Sequence, residues 1–113
     1  MNIIFILKGI AAILTIATGL LALLKPSAVP GFTGLKYEGP RGISEIRSIF
    51  GGLFIALGAV PLFLGEVAFQ MLGIAYLAIA VVRLFSIFFD KSKEQSNLIS
   101  LGIEIVLGII LIL

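Results

Sequence analysis

The chain contains no cysteine, no histidine and no tryptophan, and only 12% of its 113 residues are charged. Without thiols and imidazoles there is no structural disulfide, no Cys/His zinc or haem ligation and no Cys–His nucleophile pair. The chemistry left is that of carboxylates, guanidinium groups, amines, phenols and hydroxyls. An enzyme here would be confined to carboxylate acid–base work, so a non-enzymatic protein without cofactor or metal is expected. The amino terminus offers no secretory signal either. Asn2 to Leu7 is apolar before the first positive charge at Lys8, and no small-residue cleavage site follows at the right distance, so the segment reads as a retained helix.

What the chain does have is apolar residues, 60% of the total, with a mean hydropathy of +1.25. These values lie far outside the soluble globular range and point to an integral membrane protein. At roughly 20 residues per span, the length allows about four helices in one domain covering residues 1–113. The expected architecture is all-α, an up-down four-helix transmembrane bundle with helices at about 2–24, 43–64, 67–89 and 97–113. Lys25-Pro26 ends the first. Between Pro26 and Gly42 the density of proline and glycine argues against regular helix, and Phe32 and Tyr37 suit a loop at head-group level. Ser44-Glu45 reads as the capped entry to the second helix. Pro61 should kink only that helix's last turns, and Gly65-Glu66 is a tight turn into the third.

The net charge of +2 is small, and the basic residues lie in short loops, which favours membrane orientation over nucleic-acid binding. Lys25, Lys36, Arg41, Lys91 and Lys93 fall in loops 25–42 and 90–96, which are therefore expected to be cytoplasmic, with both termini outside.

The candidate functional residues are the charges inside the apolar segments. Ionisable groups are costly at such depth and mark function by default. At 1.5 Å of rise per residue, Arg47, Arg83 and Glu104 lie about 6, 9 and 10 Å below the basic-loop face. Glu45 is shallower on the same side. The four are expected to form one electroneutral cluster. Polar stripes agree: Asn97, Ser100, Glu104 and Gly108 on the fourth helix, and Tyr76, Ala80 and Arg83 on the third. On the second, Arg47, Gly51, Phe54 and Gly58 share one stripe, with Glu45, Ser48 and Gly52 beside it. Gly51 and Gly52 should either admit a neighbouring helix or leave room for a ligand. Ala12, Thr15, Gly19 and Ala22 form a small-residue stripe on the first helix. Lys8, about 24 Å from the charged face, is expected to snorkel outward near Glu66. Phe85, Phe88 and Phe89 suit an interfacial belt.

Glu45, Arg47, Phe50, Gly51 and Gly52 form a Glu-x-Arg-x-x-aromatic-Gly-Gly element. With it, the chain resembles a family of small four-helix bacterial membrane proteins classed as a domain of unknown function, in which Phe50 more often is tyrosine. The resemblance covers nearly the whole chain and implies a bacterial inner-membrane protein, but no reaction. The function expected from the residues is binding of a lipid-like or amphipathic anionic ligand, with Glu45, Arg47, Gly51, Gly52, Tyr76, Arg83 and Glu104 as ligand-binding residues. Two alternatives stand beside it: a proton-coupled transporter acting as a homo-oligomer with Glu104 as carrier, and an architectural salt-bridge network in an assembly partner. The lipid bilayer is a partner on every reading.

Overall fold

The computed structural model describes residues 2–113 and is all-helical over them. Helix α1 spans Ile3–Leu24. Its first turn is capped by Asn2, whose Oδ1 accepts the Ile4 N–H at 3.0 Å, so one of the donors that a helix start leaves open is satisfied locally. The helix stops at Lys25 because Pro26 disfavours helical backbone in the residue before it.

Between α1 and the next long helix lies a folded connection in place of the expected irregular loop. A 3-10 turn at Pro26–Ala28 leads into a short helix, α2, at Val29–Thr33. Gly34 closes α2 in the left-handed region at φ 73°, which glycine adopts without steric cost. Val29 is fully buried, and with Ala22 and Ile46 it forms a small cluster against which Tyr37 and Phe50 pack. Tyr37 is thus part of the fold, whereas Phe32 remains exposed as expected of a residue at the rim.

Helix α3 runs over Gly39–Leu64, beginning four residues before the expected start at Ile43. Pro40 lies in its first turn, where its missing N–H and fixed φ fit a helix start, so the residue that seemed a breaker initiates the helix. Ser44 and Glu45 consequently lie within the helix and do not cap it. Over Ile46–Leu53 the winding widens to a π-helix, with i→i+5 hydrogen bonds, a rare geometry that recurs at functional sites. Gly65, at φ 83°, makes the turn to α4, Glu66–Phe89. Asp90 to Glu94 connects it to α5, Gln95–Ile112, which starts two residues ahead of Asn97. Helices α1, α3, α4 and α5 are each long and apolar enough to cross a membrane.

The main helix–helix contacts are α1 against α3 and α4 against α5; smaller ones join α3 to α4 and α1 to α5. Glycine sets the first two. A Cβ on Gly58 would lie 2.6 Å from the Ala12 carbonyl oxygen, and one on Gly19 would lie 2.8 Å from that of Gly51. Gly73 and Gly108 do the same for α4 and α5, a Cβ on Gly73 falling 2.9 Å from the Gly108 oxygen. Small residues at such crossings let the helix backbones approach closely, the packing mode common between apolar helices of membrane-spanning length. The inward stripe of α1, Ala12, Thr15, Gly19 and Ala22, is buried throughout. Ala11, Ala12, Phe69, Leu72 and Leu111 form the central cluster. The molecule is a flat slab of 45 × 31 × 17 Å.

Candidate functional site

The strongest polar constellation lies between α4 and α5. Arg83 is on α4, six residues before its end, and Glu104 is on α5 in the turn below Gly108. The guanidinium holds the carboxylate with two parallel bonds, Nε to Oε1 at 2.8 Å and Nη2 to Oε2 at 2.6 Å. This fork-to-fork geometry is the strong, directional form of the arginine–carboxylate pair. Nη1 donates a third bond to Asn97 Oδ1 at 2.8 Å. Asn97 in turn donates from Nδ2 to the Ser92 carbonyl at 3.0 Å and to Ser92 Oγ at 3.1 Å, so the ion pair is tied into the loop that joins its two helices. Ser92 Oγ completes the chain by donating to Glu94.

Burial is unequal across the pair: the Glu104 side chain is 10% exposed and that of Arg83 31%. The exposed part of Arg83 has donors to spare. A guanidinium carries five N–H groups, and three are engaged here, leaving one on each terminal nitrogen. Arg83 also lines an open groove of about 500 Å³ together with Ala78, Ile79, Val82, Ser86 and Asn97. The lining is graded. Ala78, Ile79 and Val82 precede Arg83 on α4 and make an apolar wall, whereas Ser86 and Asn97 lie toward the connecting loop. Ser86 Oγ donates to Asp90 Oδ2 at 2.6 Å, which holds the exposed Asp90 carboxylate beside a lining residue, on the loop side of the groove.

A second polar contact crosses the bundle interior. The Thr15 hydroxyl donates to the Ala11 carbonyl at 2.9 Å, and its oxygen lies 2.5 Å from the Tyr76 hydroxyl. Since the threonine proton is already committed, the phenol is the donor in that contact.

The expected four-charge cluster is divided. Arg83 and Glu104 come together as anticipated. Glu45 pairs instead with Arg41, one turn earlier on α3, on an exposed surface. Arg47 is exposed, and among the described residues no ion pair or hydrogen bond joins it or Glu45 to Arg83 or Glu104. Depth below the loop face placed them alike, but the π-helical winding spoils the 3.6-residue spacing between positions 47 and 51, so Gly51 is buried while Arg47 is not. The glycine pair likewise splits: Gly51 receives the Leu23 backbone of α1, and Gly52 faces open space. Tyr76 stands in the interior on Thr15.

Lys8 departs from expectation in its burial: it is 7% exposed, and it forms no ion pair with Glu66 or any other of the described residues. The signal was present, because position 8 continues the stripe 12, 15, 19 and 22 by one more step of four. Asn97 lies on the expected polar stripe of α5, but spacing alone does not show that it accepts the third bond from Arg83. Ser86 continues the stripe of Tyr76, Ala80 and Arg83 by one more step of three, whereas Ser92 carries no periodic signal, since it acts from the connecting loop.

Residues 3–113, nearly the full chain, match the family described as Domain of unknown function (DUF4345). The protein belongs to that family. No curated protein matches the chain, and no solved structure does. In this DUF4345 member the Arg83–Glu104–Asn97 constellation is the chemical centre best defined by geometry: it is fully hydrogen-bonded on one side and carries free donors on the other. Among the described residues no group of three or more carboxylates is placed to hold a metal ion.

Proposed function

We propose that this protein is an integral membrane protein that binds a lipid-like, amphipathic ligand laterally in the α4–α5 groove, with the polar head on Arg83 and the tail along Ala78, Ile79 and Val82. Its four long helices span the bilayer as an up-down bundle, with loops 25–38 and 90–94 on the cytoplasmic side. The observation that carries the binding reading is the polarity gradient of the groove. Ala78 lies five residues, about 7 Å of helical rise, from Arg83 on the side away from the loop. An acyl lipid entering from the same leaflet has its own gradient in that direction, head toward the loop and chain toward the midplane. The two free N–H groups of Arg83 supply hydrogen bonds to a head-group oxygen. Glu104 and Asn97 hold the guanidinium in place, so little side-chain entropy is lost on binding.

This reading narrows the one drawn from the sequence. Arg83 alone of the two candidate arginines contacts the ligand, Glu104 and Asn97 position it, and Glu45, Arg47, Gly51 and Gly52 belong to a separate part of α3. The alternative in which Glu104 carries a proton is less favoured, because both of its oxygens are held by Arg83 and the clamp would have to open at each cycle. Native mass spectrometry of protein extracted with its lipids tests the proposal. Wild-type protein should retain bound phospholipid and Arg83→Gln should lose most of it. Equal retention by the two would overturn the assignment.

A further inference from the structure

The charges around the groove specify the class of head group, an inference that rests on the lipid-binding reading above. Arg83 is the cation nearest the groove, yet its charge is already balanced by the Glu104 carboxylate. A second carboxylate, Asp90, stands on the loop side, oriented by Ser86, which itself lines the groove. Neither lysine of the connection neutralises that carboxylate: Lys91, although next to Asp90 in sequence, forms no ion pair among the described residues. Lys93 directs its ammonium over the exposed Phe88 ring, 5.9 Å from the centroid, and Phe88 is not part of the groove lining. Glu94, the remaining acid of the connection, accepts from Ser92.

The groove therefore offers hydrogen-bond donors at Arg83 and, toward the loop, a carboxylate as acceptor. A purely anionic head group would meet a neutralised guanidinium and then a like charge. A head group that carries a phosphate followed by a primary ammonium meets a complementary partner at each end. We propose that the groove selects a zwitterionic, amine-bearing phospholipid, its phosphate on the free N–H groups of Arg83 and its ammonium on Asp90. The primary amine matters because its three N–H donors can bond the carboxylate, whereas a quaternary ammonium has none.

The test compares lipids that differ only in head group. Protein in mixed micelles is offered equal amounts of phosphatidylethanolamine, phosphatidylcholine and phosphatidylglycerol of the same chain composition, and retained lipid is counted by native mass spectrometry. The expected result is retention of phosphatidylethanolamine over each of the others by roughly twofold to fivefold, the range that a partly exposed ion pair contributes. Asp90→Asn, an exposed substitution at the end of α4, should abolish that preference while leaving lipid bound. Equal or stronger retention of phosphatidylglycerol, or a preference unchanged in Asp90→Asn, would overturn the head-group assignment and leave lipid binding itself standing. No retention of any lipid by the wild type would overturn both. Displacement of the lipid by an equal concentration of water-soluble O-phosphoethanolamine would also sink it, because the apolar wall would then contribute nothing.

Discussion

Arg83 does two jobs with one planar group: it neutralises a buried acid and keeps two of its five donors unengaged. Buried ion pairs are poor net stabilisers, since desolvation offsets the attraction, but breaking one leaves a stranded charge. Glu104→Ala should therefore destabilise the protein by about 1–3 kcal/mol, a value reduced from the fully buried case because a third of the Arg83 side chain is exposed. The double variant Arg83→Leu, Glu104→Leu should lie close to wild type. Unfolding titrations in mixed micelles read both; additive losses in the double variant would show that the two residues act independently. Outside the spans, the Ser92 hydroxyl, aided by the Glu94 backbone N–H, holds the Glu94 carboxyl below its ordinary range. Because the folded value is the lower one, the contribution to ordering the loop is present above the ordinary carboxylate range and is lost as pH falls through the lowered value. Ser92→Ala should shift the Glu94 titration upward in side-chain NMR; an unmoved midpoint would remove Ser92 as the cause. At this scale the sequence exposed the depth of each charge but not its neighbour. Arg47 and Arg83 lie in the same half of the bundle by helical rise, yet they sit on helices whose main packing partners differ.

Helices were legible from composition and punctuation, because runs of apolar residues separated by Pro, Gly and charge leave few places to turn. The misreadings have local causes. Pro40, a breaker by residue type, starts α3, and the i→i+5 winding of Ile46–Leu53 has no sequence signature, because residue type alone does not distinguish it from α-helix. What the glycines do was legible only in part. Gly51 and Gly52 are adjacent and look alike in sequence, but one meets α1 and the other meets nothing within 4 Å. The difference makes a prediction at the level of the element. Gly58→Ala places a methyl group 2.6 Å from the Ala12 carbonyl oxygen, so α1 and α3 must separate, at a cost of about 1–3 kcal/mol. Gly52→Ala meets no such obstacle and should be neutral or stabilising by up to about 1 kcal/mol through reduced backbone freedom in the unfolded chain. Thermal unfolding of the two variants in the same detergent checks the contrast; similar midpoints would mean that the α1–α3 contact is looser than its backbone spacing implies.

For the whole molecule, the distribution of basic residues gives an orientation that a single labelling experiment can judge. Cysteine is absent from the chain, so Asn2→Cys provides one unique thiol. On the proposed topology it reacts with an impermeant maleimide in intact cells, while Lys91→Cys in the connection between α4 and α5 reacts only after permeabilisation. The reverse pattern would invert the protein and move the Arg83 groove to the opposite leaflet. The slab shape carries a further consequence. At 17 Å thick, the fold leaves Phe63, Val67, Phe88 and Phe89 more than 60% exposed, and many of its other large apolar side chains are exposed to a lesser degree. In a water-soluble protein those residues would be packed by a second layer of the same chain. On the proposed membrane reading the missing layer is the acyl chains themselves, so that lengthening, shortening or desaturating the surrounding lipid would be the physical equivalent of repacking a core, and membrane composition would determine stability as directly as any substitution.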